Sequence, residues 1–239
     1  CKTYNNFQLK NVKFKIPKGS VVGLIGENGA GKTTIIKSIL NIVKPDKGEI
    51  LFNNKNISTL KKCEKQKIAF VLDDCGLPQE LNLHAAEKVY SKIFVQWNSE
   101  VYHKMLKKMQ LPLNKPIKEF SKGMKMKAAI AVAFSYESEL LVLDEPTGGL
   151  DPVVRDEIIK MIYDYNTGNE RAVLISSHIT SDLEKICDYI VYLHEGVVEI
   201  NQEKDELLQN YAVYSVTNQQ LQELNKTAVV RILKREYGT

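Results

Sequence analysis

The chain has 239 residues, 44% hydrophobic and 26% charged, a balance that suits a folded globular protein and excludes a disordered one. Its net charge of +4 is too slight to argue for nucleic acid, and no apolar run approaches the roughly eighteen residues of a membrane span. Four scattered cysteines, with no CxxC pair and no zinc-ligand spacing, are expected as free thiols in a reducing compartment.

In chain order, LKNVKFKI at 9–16 alternates apolar and polar residues, which predicts a half-buried strand. VVGLI at 21–25 is a continuous apolar run suited to a strand buried on both faces, and a helical pattern follows at 32–43. The lysine-rich TLKKCEKQK at 59–67 is expected to be a solvated face. IAFVL at 68–72, LLVL at 140–143 and AVLIS at 172–176 repeat the buried-strand character. Between them, LHAAEKVYSKIF, SEVYHKMLKKMQ and EFSKGMKMKAAIAVAF at 119–134 are helical. Taken alone, the last admits a membrane-surface helix, a calmodulin-type target or a buried helix with a basic start. Helices are predicted again at 153–165 and 180–187, and YIVYL and VVEI flank HEG at 194–196 as a hairpin.

Strands alternating with helices predict an α/β fold with a mainly parallel sheet, an antiparallel β portion and an inserted helical subdomain. The expected division is a core of residues 1–76 and 136–200, a helical subdomain at 77–135 and a small mixed appendage at 201–239. The appendage contains DELLQNY, YAVYSV and AVVRIL.

Residues 26–33 spell G-x-x-x-x-G-K-T between the buried run and the helical pattern. This is the spacing of a phosphate-binding loop. Glycines let the backbone curl so that amides face phosphate oxygens, and the helix that follows adds its N-terminal amides. Asn28, Gly29, Ala30, Gly31, Lys32, Thr33 and Thr34 are the expected nucleotide contacts. Lys32 can reach the outer phosphates, and Thr33 can offer its hydroxyl to Mg²⁺.

LLVLDEP at 140–146 sets two acids at a strand end. Asp144 is expected to hold Mg²⁺ and Glu145 to orient and deprotonate a water. ISSH at 175–178 ends another apolar strand, which puts His178 on the same sheet edge. Its expected task is to contact the terminal phosphate and hold the surroundings of the water. Histidines 84, 103 and 194 lack such a setting and are assigned no role.

With these motifs in order, the chain resembles the ATP-binding subunit of an ABC transporter. GENGAGKTT matches Walker A, FSKGMKMK the signature, LVLDEPTGGLD Walker B with the D-loop, and SSH the H-loop. The resemblance implies a P-loop NTPase core of RecA-like type. It implies that Tyr4 stacks on adenine, that Asp151 lies in the nucleotide site, and that Ser121 and Gly123 complete the ATP site of a second subunit. It departs from the family at FSKGM, which replaces LSGGQ, and at Asp73, which stands where a glutamine is usual. Asp73 is expected as a further ligand of Mg²⁺.

The resemblance extends to exporters with ABC-2-type transmembrane permeases and to Gram-positive peptide or antibiotic export and immunity ATPases. It implies ATP and Mg²⁺ as cofactors and a permease partner. It further implies a homo- or heterodimer, no nucleic acid, and a cytoplasmic location on the inner face of the membrane. Two alternatives stay open on the sequence. One is a soluble ABC ATPase acting on ribosome or DNA, the other a regulatory cassette that hydrolyses weakly.

Overall fold

The computed structural model describes residues 1–166, 171–210, 216 and 220. The chain opens with β1 (Lys2–Tyr4) and β2 (Phe7–Leu9), then β3 (Val21–Ile25) and α1 (Lys32–Ile39). The short hairpin β4 (Leu51–Phe52) and β5 (Lys55–Asn56), α2 (Lys62–Lys65) and β6 (Ile68–Val71) follow. Three helices come next: α3 (Leu83–Ile93), α4 (Ser99–Lys108) and α5 (Lys122–Phe134). Then come β7 (Leu140–Asp144), α6 (Pro152–Asn166), β8 (Ala172–Ser177) and α7 (Thr180–Ile186). The hairpin β9 (Tyr189–His194) and β10 (Val197–Glu203) leads into α8 (Lys204–Asn210).

Among the described residues, the central sheet runs β10-β9-β3-β8-β7-β6. All neighbours are parallel except β10, which pairs antiparallel with β9. Strand alternation gives each face its own apolar set. Val22, Leu24, Val142 and Leu174 join Ile35 and Ile36 of α1 in one core cluster. On the other face, a Cβ added at Gly23 would touch Leu183 of α7 and Cys187. Full burial of each Leu or Ile contributes about 1.5–3 kcal/mol, so both faces fix the register.

That register gathers the functional segments. Ile25 pairs with Ser177, Asp144 with Ser176, and Val71 with Leu143. The phosphate loop, Glu145, His178 and Asp73 therefore all leave the carboxyl edge of one sheet, where open α/β sheets bind ligands.

Residues 1–204 form one compact unit, and residues 205–239 a second. Residues 77–135 hold α3, α4 and α5, and α5 packs against both β6 and α6. The run Ala128–Phe134 of α5 is buried throughout, so this segment is core helix rather than a surface-seeking one.

Three expectations change, and part of a fourth lies outside the described residues. Residues 10–16 keep the alternation, with Val12, Phe14 and Ile16 packed on the core, yet join no strand ladder. Pairing forms earlier, between β1 and β2. The helix expected to 43 ends at Ile39, because Asn41 turns left-handed (φ 56°) and Ile42 N–H closes on Lys37 O at 2.8 Å. β10 carries the sheet to Glu203, past the expected core end at 200. Of the expected tail elements, DELLQNY is helical to Asn210. YAVYSV, except Val216, and AVVRIL lie outside the described residues.

Candidate functional site

The loop from Gly26 to Gly31 has the shape its glycines require. A Cβ at Gly26 would sit 2.5 Å from Leu193 O. Gly31 has φ 110°, and a Cβ there would strike Leu9 and Phe7 of β2. The loop wraps Lys32, which is buried at the first position of α1. Its Nζ donates to Gly26 O at 2.6 Å and to Glu27 O at 3.2 Å. A curled loop of amides, a helix N-terminus and an inward ammonium together form a cradle for phosphate.

Lys32 Nζ also lies 3.2 Å from Glu145 Oε1. The other oxygen of that carboxylate, Oε2, is 2.8 Å from His178 Nδ1. A carboxylate only accepts, so the Nδ1–H donates. Glu145 itself sits at φ +50°, a sparsely populated conformation for a non-glycine residue. The bend is held from both sides. Glu145 N–H donates to Ser176 Oγ at 3.0 Å, and Glu145 O accepts from Gly148 N–H at 3.0 Å. Glu145 Oε1 is buried and has no hydrogen bond other than its ionic contact with Lys32.

Asp144 is 3% exposed, and its Oδ1 accepts from Ser176 Oγ at 2.6 Å. Ser176 thus joins both acids, accepting from one backbone and donating to the other side chain. Ser176 lies within ISSH, a run in which only His178 carries a sequence signal. The described residues hold no cluster of three or more His, Cys, Asp and Glu side chains suited to a metal. Mg²⁺ is commonly held by one or two protein oxygens together with substrate phosphates. Thr33, exposed at the second position of α1, and Asp144 are the fitting donors.

Tyr4 is 44% exposed and lines a cavity of about 700 Å³ with Asn28, Gly29 and Ala30 of the loop. The size suits a small-molecule ligand. His194 and Glu195, where β9 turns into β10, also line the cavity. His194, given no role on sequence grounds, is thus a wall of this site.

The remaining expected residues make no contact within the Lys32–Glu145–His178 set. Ser121 caps α5, its Oγ accepting from Met124 N–H at 3.2 Å, which leaves its own O–H free to donate outward. Gly123 packs where a Cβ would lie 3.0 Å from Val154 Cγ1. Asp151 caps α6, its Oδ1 accepting from Val154 N–H at 3.0 Å, so its carboxylate has a structural task. Thr34 lies within α1, its carbonyl accepting from Ser38 Oγ. Asp73, expected as a ligand of Mg²⁺, is engaged elsewhere: its Oδ1 is 3.1 Å from Lys122 Nζ on the surface.

The chain matches known proteins over most of its length. The family model described as ABC transporter covers residues 9–148. The lantibiotic transport ATP-binding protein SrtF of Streptococcus pyogenes is 35% identical over 199 residues, 82% of this chain and 85% of that protein. A solved ATP-binding subunit of an ABC transporter superposes with a TM-score of 0.76 at 27% identity, covering 93% of this chain and 95% of that one. The dimeric post-hydrolysis structure of the cassette MJ0796, bound to ADP and Pi, gives 0.74 at 25% identity, covering 84% and 95%.

Proposed function

The chain belongs to the ABC transporter family, as an ATP-binding and ATP-hydrolysing subunit, and on that premise we propose that it powers export through a separate permease of the ABC-2 type. The proposed cargo is a peptide, antibiotic or other amphipathic molecule, a reading supported by the lantibiotic transport relative. The proposed location is the cytoplasmic face of the membrane, reached through the permease. No helix among the described residues is long and apolar enough to cross a membrane.

The carrying observation is the chain of contacts Lys32–Glu145–His178 at the sheet edge, at 3.2 and 2.8 Å. In this reading Tyr4 lies against the base, and the amides of residues 28–34 hold the phosphates. Lys32 leaves Glu145 for the outer phosphates. Glu145 then accepts a proton from the attacking water, and His178 holds that carboxylate in line. Thr33 and Asp144 would hold Mg²⁺, which neutralises phosphate charge. Ser121 O–H and Gly123 N–H are offered to the nucleotide of a second ATP-binding subunit, an arrangement supported by the dimeric relative bound to ADP and Pi.

The test is affinity purification of the full chain from solubilised membranes with ATPase assay of the product. Co-purification of a multi-span membrane protein that stimulates MgATP hydrolysis is expected. Recovery without any membrane protein, at the same turnover before and after solubilisation, would contradict the transport reading.

A further inference from the structure

Lys122 is the first residue of α5, and Asp73 lies in the turn after β6. Neither belongs to the Lys32–Glu145–His178 cluster, yet their side chains meet, Nζ to Oδ1, at 3.1 Å.

Both backbones are firmly held. Cys75 N–H closes the turn on Leu72 O at 2.8 Å, and the side chains of Cys75 and Leu77 are buried beneath it. The exposed Asp73 therefore rides on an anchored turn. On the other side, Ser121 caps α5, and Gly123 in its first turn packs closely against Val154 of α6.

A third segment comes into reach. A Cβ built on Gly149 would lie 3.6 Å from Lys122 Nζ. Gly149 belongs to the loop that leads out of Glu145 and ends at the α6 cap, Asp151. One ammonium thus pairs with the turn after β6, sits at the start of α5 and lies near the loop running from Glu145.

The pair is worth little as a stabilising contact. The Asp73 and Lys122 side chains are 61% and 47% exposed, and water competes for both charges. Its effect is positional. A free lysine stem samples many rotamers, whereas a carboxylate partner fixes where its ammonium sits.

We propose that Asp73 is a positioning residue. By holding the Lys122 ammonium between the start of α5 and loop 146–151, it governs turnover rather than the chain's own hold on nucleotide. The proposal rests on the reading of the chain as an ATPase whose α5 start faces a second subunit. It also leaves Mg²⁺ to Thr33 and Asp144.

The test is steady-state MgATP hydrolysis and equilibrium ATP binding by the full chain and four variants. These are Asp73→Asn, Lys122→Met, the exchange Asp73→Lys with Lys122→Asp, and Lys185→Met. The last breaks the remote Lys185–Asp156 pair and should leave turnover unchanged. Each single change at the pair is expected to lower kcat about three- to tenfold, with the Kd for ATP held within about twofold. The exchange is expected to restore most of kcat, because it rebuilds the contact with the charges reversed. Raising salt should narrow the gap between the parent and the single variants, since exposed pairs are screened. Parental turnover in either single variant would overturn the proposal. So would an exchanged variant as slow as Lys122→Met, which would mean that Lys122 acts directly. A parent chain that binds MgATP without hydrolysing it would overturn the ATPase reading, and the positioning role would fall with it.

Discussion

His178 Nδ1 donates to Glu145 Oε2 at 2.8 Å, while Oε1 of the same carboxylate faces Lys32 Nζ at 3.2 Å. The carboxylate is held at both oxygens, on a residue whose φ of +50° fixes its direction. Removal of His178 frees one side of this arrangement without touching the phosphate loop. The variant His178→Ala should lose about ten- to a hundredfold in kcat, the scale of a misplaced catalytic group, with ATP affinity nearly unchanged. Steady-state kinetics beside equilibrium nucleotide binding would check the split. A fall in affinity with kcat intact would assign His178 to binding instead.

Ser176 is the joint between the two acids. Its hydroxyl donates to Asp144 Oδ1 at 2.6 Å and accepts Glu145 N–H at 3.0 Å, and the residue is fully buried. The change Ser176→Ala leaves a buried carboxylate and a backbone amide short of a partner, which costs about 1–3 kcal/mol. Urea unfolding should show that loss. A raised Mg²⁺ requirement for hydrolysis should accompany it, because Asp144 is no longer oriented. Val at the same position should behave no better than Ala, since it restores volume and not the hydroxyl.

Burial pushes the Cys75 thiol up to about 11 and the Cys187 thiol up to about 12. An unfolded thiol titrates near 8.5, so above that pH the folded chain holds protons that the unfolded chain has released. Stability therefore falls as pH rises. The contribution is complete below about pH 8.5 and is lost progressively as pH climbs through the folded values. The unfolding free energy should decline between pH 8.5 and 10.5 by about 1 kcal/mol per pH unit for each thiol. Cys187→Ala should flatten part of that decline, as read by urea titration at each pH. The same slope in parent and variant would exclude Cys187 as a contributor.

The strong patterns in the sequence carried most of the core. VVGLI, LLVL and AVLIS are continuous apolar runs, and a strand buried on both faces leaves little other choice. G-x-x-x-x-G-K-T and DEP were legible because each residue type has one chemical task there. The stretch at 10–16 was not, because alternation reports burial and not ladder partners. Its side chains alternate inward as expected while its backbone pairs with no strand. Ser176 was missed because a small hydroxyl in an apolar strand has no signature of its own. Its task appears only when β7 and β8 register Asp144 against it. The contact of Asp73 with Lys122 spans 49 positions and depends on how α5 packs beside β6, which no local pattern encodes. The basic start of α5 was ambiguous for the same reason. Its apolar run was settled by burial, and its lysine by a partner from another element.

The central claim is that Glu145 is the base of an ATP-hydrolysing site. Its most direct test is the variant Glu145→Gln, assayed for MgATP binding and single-turnover hydrolysis side by side. The amide keeps the size of the side chain and its contact with His178 but cannot take a proton. Binding is expected to persist at near-parental affinity while hydrolysis falls about 10²–10⁴-fold, the usual share of a general base. Hydrolysis by Glu145→Gln at a rate close to the parent would contradict the account.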